Sequence, residues 1–208
     1  MVITPSEQDF RNIYTLMVGT IVPRPIAFVS TLDADGIPNL APFSFFTIAS
    51  INPPVVCFCP VLSSRSSEKK DTLSNVEATG DFVVNTVSED IAQEMSVASA
   101  KFPSTVDEFT KSGLTPVSSD LVKAPRVKES RIAMECKLLQ VVHVSSRPMG
   151  GSLVLGEVVR FHVHDDLVSD FRINHDLFRP IGRMAGNLYV RTTDTFEIQR
   201  PRSEETPS

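Results

Sequence analysis

Apolar and polar positions alternate with a period of two over two long segments in the second half of the chain. Across 132–144, Ile132, Met134, Cys136, Leu138, Val142 and Val144 share one face, and Glu135, Lys137 and His143 share the other. That is the pattern of a long, half-buried strand. "SSRPMGGS" then turns the chain, and in "LVLGEVVRFHVH" the alternation resumes, with Leu153, Leu155, Val159, Phe161 and Val163 expected to face inward.

Shorter strands precede this pair. "IAFVST" (26–31) is β-branched and aromatic, "LDADG" offers a tight reversal, and "IPNLAPFSFFTIAS" (37–50) returns, with Pro42 requiring a break, a bulge or an edge position. "NPPVVCFCP" is a strand fenced by prolines, and "DFVVNTV" is another. Between them "DTLSNVEATG" reads as a helix with Gly80 as its C-cap. "SEDIAQEMSVAS" reads as a short amphipathic helix, capped by Ser88 and burying Ile91, Met95 and Ala98. Residues 100–127 hold no sustained period and read as an excursion with one helical turn near Asp107–Lys111. Many strands and few helices suggest a barrel.

A length of 208 residues fits one domain, 1–198, followed by a polar segment, 199–208, expected to be disordered. Hydrophobic residues at 41% and charged residues at 22% are an ordinary globular mixture. The net charge of −5 disfavours a general nucleic-acid binder, which needs a cationic face. No cationic segment leads into an apolar one at the N-terminus, and no run of eighteen apolar residues occurs, so neither export nor a membrane partner is expected. Cys57, Cys59 and Cys136 cannot all pair, which suits a reducing cytoplasm. Cys57 and Cys59 read as small core residues, because no second pair or nearby histidine completes a tetrahedral metal set.

Candidate chemistry concentrates in "LSSRSSEKKDTLSN" (62–75), where Ser63, Ser64, Arg65, Ser66, Ser67, Lys70 and Thr72 gather at the mouth of a helix. Hydroxyls, cations and free helical N–H groups together can hold a phosphate. The same residues also suit a solvated loop whose serines cap the helix, and no glycine-rich nucleotide fingerprint accompanies them. His162 and His164 lie two apart beside Arg160, Asp165 and Asp166. Two histidines do not complete a metal site; they read as a solvated or interface face, with His164 kept as a substrate-side candidate.

Taken in order, "PRPIAFVSTLDADGIPNLAPFSFF", "PPVVCFCP", "KDTLSN", "GDFVVNTV", "MECKL", "LVLGEVVRFHVHDD" and "RPIGRMAGNLY" resemble the flavin reductase-like family of FMN-binding split-barrel proteins from Pro23 to Tyr189. That family includes flavoredoxin and the reductase components of two-component monooxygenases such as the nitrilotriacetate type. The resemblance implies a mainly β fold, a six-stranded antiparallel split β-barrel with short flanking helices, assembled as a homodimer with FMN near the interface. Carried onto this chain, Ser30, Thr31, Asn39, Leu40, Ala41, Pro42, Phe43 and Ser44 would line the flavin, and Ser63, Arg65, Lys70, Asp71 and Thr72 its phosphate end. Arg183 and Tyr189 match the family's C-terminal segment near the flavin, although Met184 and Ala185 replace a leucine and a glycine there. The implied activity is hydride transfer from NADH or NADPH to FMN, with no catalytic acid or base and with a flavin-dependent monooxygenase as a candidate acceptor. The alternatives are an FMN-binding electron carrier or sensor without nicotinamide turnover, and a cofactor-free dimeric interaction module.

Overall fold

The computed structural model describes residues 1–64 and 68–199. Its centre is a seven-stranded antiparallel sheet in the order β2-β1-β5-β8-β9-β4-β3. The strands are β1 (Ala27–Leu32), β2 (Pro38–Phe43), β3 (Phe46–Ser50), β4 (Val55–Phe58), β5 (Asp81–Asn85), and, beyond the two-residue pairing of β6 (Pro116–Val117) with β7 (Arg126–Val127), β8 (Ile132–His143) and β9 (Ser152–Val163). Two small hairpins follow: β10 (Val168–Ser169) with β11 (Arg172–Ile173), and β12 (Ile181–Arg183) with β13 (Tyr189–Arg191).

The two edges of the large sheet, β2 and β3, are separated in sequence only by Ser44 and Phe45. So short a link cannot span a flat sheet of seven strands at about 4.8 Å each. The sheet must curl until its edges meet, which makes a split barrel. The expected six strands become seven because the long second strand divides into β2 and β3. The division falls at Ser44–Phe45 rather than at Pro42, which stays in the ladder opposite Phe28. β2 is an edge strand, and a proline lacking its N–H is tolerated there.

Inside the curl Ala27, Val29, Phe43, Val56, Phe58, Phe82, Val84, Cys136, Val154 and Val158 form the core, closed at one end by Leu73 and Val76 of α2 (Asp71–Thr79). The alternate residues of β1 face outward and are buried as well. Phe28 packs with Leu40, Ile91, Met95, Ala98 and Phe109 beneath α3 (Ala92–Ala98) and α4 (Glu108–Ser112). Gly80 ends α2 in the left-handed conformation at φ 73°, as its position after the helix requires. The turn near Asp107 is α4, capped by the Asp107 carboxylate, which accepts from Phe109 N at 2.8 Å. Ser88 precedes a short 3-10 turn but makes no capping bond.

Three expectations need correction. The β8–β9 pairing shifts twice: at Glu135/Cys136 the extra residue is Val159 in β9, and at Leu138/Gln140 it is Leu139 in β8, which reverses the inward phase of β8 beyond it. Val141, rather than Val142, therefore packs on the core. In β9 the buried set is Ser152, Val154, Gly156 and Val158, the opposite phase from the one expected, and Phe161 is exposed. Apolar residues occupy both phases of β9; in the phase the fold takes, Gly156 faces Phe82, where an added Cβ would lie closer to the ring's Cζ than contact allows. Glu135, expected outside, is wholly buried beneath the 118–124 segment.

The first helix, α1 (Phe10–Thr20), was not expected from the pattern, because it buries only Val18 and leaves Tyr14, Leu16 and Met17 exposed. The remaining helix, α5 (His175–Phe178), is a single turn capped by Asn174. No helix among the described residues is long and apolar enough to cross a membrane. The segment 199–208 lies outside the described residues from Arg200 onward.

Candidate functional site

A cleft of about 740 Å³ opens between the free edge of β2, the N-terminus of α2 and the segment 98–104 that follows α3. This is within the roughly 300–1,000 Å³ of small-ligand sites. The direction of α2 is set by a buried polar network. Asn39 Nδ2 donates to Thr72 Oγ1 at 2.9 Å, and Asn75 Nδ2 donates to Thr31 Oγ1 at 3.0 Å. These bonds hold the start of the helix against β1 and β2, so its first amides point at the cleft.

No side chain caps those amides. Lys70 stands at the N-cap position without a capping bond, and it and Lys69 line the cleft. Lys69 is occupied by Glu77 at 2.6 Å, whereas Lys70 forms no ion pair among the described residues. Unbonded helical N–H groups, the positive end of the helix dipole and an ammonium without an ion pair are together suited to hold an anion. Lys101, from the segment whose role the pattern did not disclose, lines the same cleft. Ala41, Pro42, Phe43, Phe102 and Met149 supply an apolar wall.

The expected residues divide into two groups. Asn39, Ala41, Pro42, Phe43, Ser63, Lys70, Asp71 and Thr72 line the cleft. Ser30, Thr31 and Leu40 stand behind it, buried, with the Ser30 hydroxyl donating to Pro125 O at 2.5 Å and Thr31 Oγ1 held in the polar network. Ser44 lies at the strand break, where it accepts from Arg24 Nε at 3.4 Å. Arg183 and Tyr189 belong to the β12–β13 hairpin, where the guanidinium sits 4.5 Å above the tyrosine ring, and neither lines the cleft. Arg24 links their hairpin to Ser44, since its backbone pairs with that of Arg183 and its side chain donates to Ser44. Arg65 lies outside the described residues. His164 is exposed and borders a separate hollow with Arg126 and Lys128.

Glu108 is a buried acid in the cleft that sequence reasoning missed, as it missed Lys101, Phe102 and Met149. It opens α4, is buried, and accepts from Leu40 N at 3.0 Å. Burial pushes its carboxyl above the usual carboxylate range, against the lowering effect of that bond. Its signal in the sequence was slight, one acid after a capping Asp.

A second missed cluster lies on the outer face of the barrel. Glu135 accepts from the N–H groups of Asp120 at 2.8 Å and Leu121 at 2.6 Å, and its Oε1 lies 2.6 Å from His162 Nε2. Burial works to raise the Glu135 pKa, but these donors outweigh it and hold the carboxyl below its usual value. Asp120 is in turn bonded by Arg160 at 2.6 Å. The group latches the 118–124 segment to β8 and β9.

Comparison with known proteins bears on the cleft. Residues 18–177 match the model of the flavin reductase like domain. An uncharacterized protein of Aquifex aeolicus is 42% identical over 89% of this chain and 92% of its own length. The crystal structure of nitrilotriacetate monooxygenase component B from Bacillus cereus superposes with a TM-score of 0.91 at 34% identity, covering 95% of this chain and 98% of that one. The 2-nitrobenzoate 2-nitroreductase of Pseudomonas fluorescens superposes with a TM-score of 0.87 at 33% identity, covering 100% and 99%.

Proposed function

This chain belongs to the flavin reductase like family, and on that premise we propose that it binds FMN in the cleft and acts as an NAD(P)H-dependent flavin oxidoreductase. The observation that carries the reading is the uncapped start of α2, with Lys70 beside it, opening onto a cleft of about 740 Å³ with an apolar wall. A phosphate suits one end of such a site and a flat aromatic ring the other. When bound, FMN supplies two-electron chemistry, accepting a hydride from NADH or NADPH.

The chain's residues bind and orient. Lys70 and the first amides of α2 hold the phosphate, with Lys101 adding positive charge. The edge of β2 from Asn39 to Phe43 offers backbone groups and an apolar surface to the ring system. No side chain is assigned as acid or base, because hydride transfer depends mainly on holding the reacting atoms close and aligned. Similarity to a monooxygenase component and a nitroreductase supports an electron acceptor outside the chain, with a flavin-dependent monooxygenase as the first candidate.

We propose further that the protein is a homodimer. Tyr14, Met17 and Ile21 in and just beyond α1, and Leu188 before β13, are exposed apolar side chains. Arg24 joins the two segments by donating to Val18 O, Ile21 O and Met184 O. A second copy covering this surface would remove it from water.

The test of the activity is the absorption spectrum after FMN saturation and desalting, followed by oxidation of NADH and NADPH with added FMN. Turnover supports the reductase. Retained flavin without turnover assigns an electron carrier instead, and absence of any saturable flavin binding overturns the reading.

A further inference from the structure

Of the three buried acids among the described residues, Asp81, Glu108 and Glu135, only Glu108 lines the cleft. Its position is rigidly set. The helix start is fixed by the Asp107 cap, and the next residue, Phe109, is fully buried against Leu40. Oε2 accepts from Leu40 N, which satisfies an amide of the open β2 edge. Besides Leu40 N and the backbone N–H of Glu108 itself, the carboxyl has no hydrogen-bond donor among the described residues. The residue is only 7% exposed and lines the cleft, so its carboxyl is reached from there. A carboxylate offers about four acceptor sites, so one held by two backbone donors still has room for a ligand donor.

The place of Glu108 along β2 identifies the donor. Asn39, one residue before Leu40, is bonded to Thr72 at the start of α2, the anion end of the cleft. Ala41 to Phe43, directly after Leu40, form part of the apolar wall. Leu40 and its carboxylate partner therefore stand between the phosphate end and the ring end. The part of FMN that joins phosphate to ring is the ribityl chain, a run of hydroxyl donors. We propose that Glu108 is a specificity residue, accepting a hydrogen bond from a ribityl hydroxyl so that the cleft selects flavins bearing a polyhydroxyl chain. This rests on the reading of the cleft as an FMN site.

The experiment measures dissociation constants by flavin fluorescence for FMN, riboflavin and lumiflavin, the last having the ring without the hydroxyl chain. Binding is compared in the unmodified protein, Glu108→Met and Glu108→Gln. Glu108→Met is expected to weaken FMN and riboflavin by at least about ten-fold while leaving lumiflavin unchanged. Glu108→Gln, which keeps an acceptor, is expected to recover part of the loss. Equal losses for all three flavins, or none for any, would overturn the assignment. A damaged fold would give the first of these patterns together with a lowered melting temperature. If the unmodified protein binds none of the three, the reading of the cleft itself fails and the role of Glu108 falls with it.

Discussion

The side-chain amide of Asn39 donates to the hydroxyl of Thr72 at 2.9 Å across 33 positions of sequence, joining the edge strand of the barrel to the first turn of α2. Both residues are buried. The bond holds the uncapped start of α2 against the β2 edge, so both line one cleft in a fixed arrangement.

Thr72→Val keeps the shape but removes the acceptor, leaving Asn39 Nδ2 only its longer contact with Thr31 at 3.4 Å. The expected loss is about 1–3 kcal/mol of folding stability, read from urea unfolding midpoints. An unchanged midpoint would show that the amide finds another partner.

Lys70→Ala removes an ammonium that forms no ion pair among the described residues. FMN binding is expected to weaken about ten-fold or more, and riboflavin much less, because only FMN carries the phosphate. Titration of both flavins decides the matter, and equal losses would place the phosphate elsewhere.

The Glu135 latch makes a pH prediction. Its carboxyl is held below the unfolded value, about 4.3. The ionised form is therefore bound more tightly in the fold. Its contribution to stability is fully present above about pH 4.5 and is lost as pH falls through the folded pKa. Glu135→Gln should lower the urea midpoint at neutral pH, with a loss of roughly 1.5–3 kcal/mol, and flatten its decline below about pH 4.5.

Gly156→Ala places a methyl group closer to Phe82 Cζ than contact allows. Overpacking of this kind costs about 1–3 kcal/mol. A lower melting temperature is expected, and Phe82→Leu in the same chain should relieve part of it.

The proposed dimer surface predicts that Met17→Glu shifts the protein toward monomer in sedimentation velocity, since a buried charge without a partner opposes association. Sedimentation as a monomer before any substitution would remove the proposal.

Features that depend on neighbours in sequence were legible from the residues. The proline fences of β4, the Gly80 helix end, the apolar stripe Ile91, Met95 and Ala98, and the Asp107 turn all reappear in the structure. The gathering of Ser63, Lys70 and Thr72 at a helix mouth was also legible, because a helix start exposes its amides wherever it is placed. The phase of β9 was not, since Leu153, Val154 and Leu155 are all apolar and periodicity alone cannot choose between two faces.

Taken alone, the order of residues determined that strands would dominate and that a cationic helix start would follow the proline-fenced strand, because propensity, turn chemistry and capping act over a few positions. Tertiary structure alone decided which acids are buried. Glu108 and Glu135 are hidden by segments from far along the chain, and each is tolerated because distant backbone N–H groups turn toward it. It also decided that the edges β2 and β3 meet, since only curling brings the two ends of a seven-stranded sheet within reach of the Ser44–Phe45 link.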